Sequence, residues 1–74
     1  MTSRADHVRR CKERAREYLD AGDLPNAVTS MLSDLTKHPD TEPLAGGYLA
    51  IYGMMVAAEG DRDGVRRFIE GFSE

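Results

Sequence analysis

Two Gly-Asp pairs set the frame of this chain. AGDLPNAV occupies residues 21–28 and AEGDRDGV residues 58–65, so Gly22-Asp23 and Gly60-Asp61 stand 38 positions apart. Each pair follows an apolar-periodic segment and precedes another. Glycine adopts the left-handed conformation that ends a helix, and aspartate accepts the orphan N–H groups that begin one. Two residues therefore reverse the chain, twice. At this offset Cys11 aligns with Leu49, Ala15 with Gly53, Tyr18 with Val56, Ala27 with Val65 and Met31 with Ile69. The pattern predicts an all-α fold: four short helices as two antiparallel hairpins.

The segments support this. Val8, Cys11, Ala15, Tyr18 and Leu19 recur at spacings of three and four, and charged residues fill the positions between. That is one stripe of an amphipathic helix over about 4–21. Ser3 caps it, with Asp6 three residues later. The second helix, about 24–37, starts at Asp23 with Pro25 in its first turn. Its apolar face is Leu24, Ala27, Val28, Met31, Leu32 and Leu35. Lys37 and His38 fall in its last turn, and Pro39 stops it. The third, about 43–59, repeats the cap-x-Pro spacing with Thr41 and Pro43, while Gly46-Gly47 offer a second start near Tyr48. No charge occurs from Leu44 to Ala58. Apolar residues all round predict the most buried helix, with Tyr48, Tyr52 and Met54 in the core alongside Met31, Phe68 and Phe72. The fourth, about 62–72, is capped by Asp61 and carries Val65, Phe68, Ile69 and Phe72 on one stripe. No alternating run reads as a strand, and the 74 residues make one domain.

Charge divides the chain. Residues 1–16 hold six basic side chains against two acidic ones, and the remainder is acidic enough to give −3 overall. Arg9, Arg10, Lys12, Arg14 and Arg16 form a basic face on the first helix. Asp20, Asp61, Asp63, Arg66 and Arg67 form charged surface elsewhere. These are the candidate partner-binding residues. Arginine suits phosphate, so a nucleic-acid helix is the alternative use of the basic face. Glu13 and Glu17 interrupt that face, and no aromatic residue is interleaved with it, which favours a protein partner.

Chemistry has little to work with. His7 and Cys11 share a helix face, but only His38 adds another ligand of that class, too few for a zinc set. Cys11 reads as core. Asp23 and Asp61 have capping roles, and no nucleophile–histidine–acid set or phosphate loop accompanies the acids. The chain is expected to be non-enzymatic and to need no cofactor. One cysteine allows no internal disulfide. The segment MTSRADHVRRC lacks the apolar core of a signal peptide, and no run of 18 apolar residues occurs. A soluble cytoplasmic chain with no membrane role is expected. The apolar excess of the third helix makes homo-oligomerisation an expectation too.

Two resemblances add context. Ala15-x-x-Tyr18-x-x-x-Gly22-Asp23-x-x-x-Ala27-Val28, followed by Met31, Leu35 and Pro39, resembles a tetratricopeptide-type helical hairpin, departing from it at Arg14 and Asp34. Over most of the chain, SRADH, CKERA-x-EY-x-DAGDLPNA, SM-x-SDL-x-KHP, GMM and FIEGF resemble a group of small proteins encoded by tailed bacteriophages. The match is poor over 44–52 and 57–67. The second resemblance implies an accessory protein that binds a host protein in the bacterial cytoplasm, host defence systems being one class of target. It brings no catalytic residues.

Overall fold

The computed structural model describes residues 3–73. It is all-α, and its elements follow the Gly-Asp frame: α1 (Arg4–Asp20), α2 (Leu24–Leu35), α3 (Tyr48–Ala58) and α4 (Arg62–Glu70), with a 3-10 turn at Glu42–Gly46. The two turns match bond for bond. Asp23 N–H donates to the Tyr18 carbonyl at 2.9 Å, and Asp61 N–H to the Val56 carbonyl at 2.9 Å. Gly22 N–H reaches Leu19 at 3.0 Å, and Gly60 N–H reaches Ala57 at 3.1 Å. Each pair of bonds is a Schellman closure, which satisfies two carbonyls that the helix end leaves open. Gly22 sits at φ +79° and Gly60 at φ +70°, the left-handed region such a closure needs. The carboxylates of Asp23 and Asp61 then accept from Asn26 N–H at 3.3 Å and Gly64 N–H at 2.9 Å. Ser3 caps α1 in the same way through Asp6 N–H at 3.1 Å.

The core lies between α1, α2 and α4. Val8, Ala15, Ala27, Met31, Leu35, Val65, Phe68 and Ile69 are fully buried. Ala15 and Ala27 put small residues on the facing stripes of α1 and α2, which lets those helices approach closely. Phe68 meets Phe72 edge to face, with centroids 5.2 Å apart and planes at 87°. Gly53 is the tightest point: a Cβ there would stand 2.5 Å from the Phe68 ring. The larger core side chains each contribute about 1.5–3 kcal/mol on burial, and these contacts rather than intrinsic propensity hold the nine-residue α4.

Three expectations are corrected. The first concerns α3, which is not the most buried helix. It packs on α4 and α2 and makes no contact with α1 among the described residues, so α2 is the central element. Tyr48 is 93 % exposed and Met54 56 %, and Tyr52 is only half-buried. An uncharged helix can lie at an edge as readily as at a centre, because nothing in its sequence marks an outer side.

The second concerns Thr41, which does not cap the third helix. It is fully buried, and its hydroxyl donates to the Leu35 carbonyl at 2.6 Å, closing the end of α2 instead. That helix ends at Leu35, so Lys37 and His38 lie beyond it, and the regular third helix begins at Tyr48.

The third concerns Lys12, which is 5 % exposed rather than part of the outward basic face. It stands four residues after Val8, three before Ala15 and seven before Leu19, and so falls on the buried stripe. A lysine stem is apolar enough to lie there while its ammonium reaches toward water.

Candidate functional site

The charged candidates do not converge. On α1, Arg9, Arg10 and Arg14 are exposed and Arg16 is half-exposed. Three of these are engaged with acids of the chain itself. Arg9 Nη1 lies 3.3 Å from Asp6, Arg14 Nε 3.5 Å from Asp34, and Arg16 Nη2 2.6 Å from Glu70. The Arg16–Glu70 pair ties α1 to α4. Asp20, Asp61, Asp63, Arg66 and Arg67 are all exposed, and Arg66 faces Asp63 at 3.6 Å. The pairs open to water on both sides, Arg9–Asp6, Arg16–Glu70 and Arg66–Asp63, contribute under about 1 kcal/mol each. They leave a mixed, self-neutralised surface rather than one of a single sign.

A second cluster forms where α1 meets the end of α2. His7 Nε2 donates to the Asp34 carbonyl at 3.0 Å, which places its proton on that nitrogen. The Cys11 thiol lies 3.7 Å from the same nitrogen. The His7 and His38 rings stand 5.2 Å apart. His38 Nδ1 accepts from Asp40 N–H at 3.1 Å and is therefore unprotonated in this arrangement. The Asp34 carboxylate is almost covered and is held by Lys37 Nζ at 3.1 Å and by Arg14. Burial pushes the Cys11 thiol pKa up, and the nearby Asp34 carboxylate adds to the rise; Lys37 and Arg14 oppose it. A buried, neutral thiol is a poor nucleophile. Among the described residues no group of three or more His, Cys, Asp or Glu side chains is arranged to hold a metal ion. The cluster joins α1 to α2, with a hollow of about 260 Å³ beside it lined by Arg10, Arg14 and Lys37 as well.

Among the described residues, the large hydrophobic side chains left exposed all lie on α3. Its inward side is Leu49, Ala50, Tyr52, Gly53, Val56 and Ala57, all buried or half-buried. Its outward side is Tyr48, Ile51, Met54, Met55 and Ala58. The four large members are 93, 57, 56 and 59 % exposed. Beside this stripe, Pro25, Val28 and Thr29 of α2 and Met54, Ala57 and Ala58 of α3 line an open apolar groove of about 260 Å³. Sequence reasoning had the apolar excess of this segment but assigned it inward. The signal for an outer stripe is the 3-4-3 spacing of Tyr48, Ile51, Met55 and Ala58, which a second, inward stripe on the same helix conceals.

The chain matches no protein-family model, no curated protein and no solved structure. No helix among the described residues is long and apolar enough to cross a membrane.

Proposed function

We propose that this chain is a non-enzymatic accessory protein that acts by binding another protein, and that α3 is its binding element. One observation carries the reading: four large apolar side chains stand exposed on one stripe of an 11-residue helix that has no charge. They present on the order of 500 Å² of surface, within the size range in which a monomer's largest apolar patch is often functional. That is a large share of a molecule whose whole accessible surface is 4504 Å². Methionine and tyrosine suit the task, because one repacks readily and the other joins an apolar body to a polar tip.

The resemblance to small proteins of tailed bacteriophages supplies the setting. The partner would be a host protein whose surface this chain occupies, components of defence systems being one class of target. The exposed charges elsewhere on the surface then act on orientation and encounter rate more than on affinity.

A photoactivatable benzoyl-phenylalanine at position 51, irradiated in bacterial cells, tests this reading. A discrete protein adduct at 51, absent with the same probe at Glu13 on α1, is expected. Adducts at 13 with none at 51 would overturn α3 as the binding element. A second reading, a nucleic-acid-binding regulator, draws on the exposure of Arg9, Arg10 and Arg14 along one helix. A gel shift at low salt that disappears as salt rises would move the assignment to α1.

A further inference from the structure

We infer that in the free protein, before a host partner takes its place, the α3 stripe is covered by a second copy of this chain, packed antiparallel about a two-fold axis with each Tyr48 seated in the groove of its partner. The inference rests on the reading of α3 as a binding face and names what covers it.

The face is complementary to itself. A two-fold interface requires that residue i meet residue j while j meets i. Tyr48, 93 % exposed, is a knob at the first residue of α3. The groove between α2 and α3 is a hole at the far end of the same face, at Met54, Ala57 and Ala58. Ala58 stands ten positions after Tyr48, about 15 Å along a helix. Reversing one α3 against another places each Tyr48 over the Ala58 end of its partner. The same register pairs Ile51 with Met55 of the other copy. The 3-4-3 spacing of the stripe is that of a helix–helix seam, and the small side chain at Ala58 leaves room for a ring. Thr29, exposed at the rim, offers its hydroxyl to the phenol.

Charge permits the pairing. Two copies of a charged face would set like charges against each other along the axis. From Leu44 to Ala58 there is no charge, so the seam carries no such penalty. Area sets the strength. Complete burial of the outward stripe on both copies gives at most about 1,000 Å², the lower bound of a specific interface. A dimer of that size should dissociate on dilution.

Sedimentation equilibrium of the purified chain across a concentration series reads this directly. The mass should rise from 8.2 kDa toward twice that value. Tyr48→Ala and Met55→Glu should each raise the dissociation constant at least tenfold with an unchanged circular-dichroism spectrum, since both side chains are exposed. Glu13→Lys should leave it unchanged. Orientation is read by oxidising two single-cysteine-addition variants. At a concentration raised to offset the lost ring, Tyr48→Cys mixed with Ala58→Cys should cross-link, and Tyr48→Cys alone should not. A monomer at every concentration, or a dimer indifferent to both α3 substitutions, overturns the inference. Cross-linking of Tyr48→Cys to itself overturns the antiparallel seating. A monomeric chain that still gives an adduct to another protein from position 51 in cells separates failure of the dimer from failure of the binding face.

Discussion

Replacing Gly53 with alanine tests the packing that positions α3. Gly53 lies within α3, so alanine should gain about 1 kcal/mol of helix propensity. The structure opposes that gain. The new Cβ would stand 2.5 Å from Phe68 Cδ1, 2.6 Å from Cε1 and 2.9 Å from Cγ. Contact with Cγ reaches the root of the ring, so rotating the ring does not relieve it. Phe68 is fully buried and packs edge-on against Phe72, so the ring cannot retreat without breaking that pair. Overpacking of this kind costs about 1–3 kcal/mol. The net is a destabilisation of roughly 1 kcal/mol, or about 4–8 °C in Tm for a domain this small. Urea denaturation at a fixed low concentration, where self-association adds nothing, measures it as a fall in midpoint at constant slope. Gly46→Ala is the control, because nothing lies within 4 Å of its added Cβ. In a Phe68→Leu background the Gly53→Ala loss should shrink by at least ~0.5 kcal/mol, the coupling expected of residues in contact. A Gly53→Ala variant more stable than the parent would falsify the close approach of α3 and α4.

Gly22→Ala and Gly60→Ala should each cost about 1–2 kcal/mol, and by similar amounts, because both turns need positive φ within the same hydrogen-bond frame; thermal melts that left either variant unchanged would contradict the shared closure. Thr41→Val removes the hydroxyl that serves the Leu35 carbonyl at 2.6 Å and should cost about 1–3 kcal/mol, while Thr41→Ser keeps most of the stability. The Cys11 thiol should react with Ellman's reagent far more slowly in the folded chain than in urea at pH 8, since burial and then Asp34 favour its neutral form. The same shift predicts that stability falls as pH rises above the ordinary thiol value of about 8.5, because the unfolded thiol ionises first; a Cys11→Ser variant should lose that alkaline decline.

The local features were legible because each rests on a few neighbouring residues. Ser3, Asp23 and Asp61 cap because their oxygens reach N–H groups three residues ahead. Thr41 has the same chemistry, and its place two residues before Pro43 predicts the same role. Its hydroxyl went back to the end of α2 because Leu35 and His38 offered carbonyls there, in a buried corner that no reading of residues 41–43 reveals. The His7, Cys11 and Asp34 contacts show the same limit. The four-residue spacing of His7 and Cys11 places them on one face, but only the antiparallel return of α2 brings the Asp34 carbonyl to His7.

The sequence alone determined the all-α class, the two matching hairpin turns and the buried stripes of α1, α2 and α4. Those are set by periodicity and by short-range hydrogen bonds; charged residues mark the outer side of α1 and α4, and the uncharged polar residues Asn26, Thr29 and Ser33 that of α2. Lys12 shows where that marking fails, since a lysine stem can occupy an apolar stripe. Only the tertiary structure decided which side of α3 faces water. A helix that is apolar all round is compatible with either a central or an edge position. Its placement follows from where α2 and α4 leave room, and that puts Tyr48, Ile51, Met54 and Met55 on the surface.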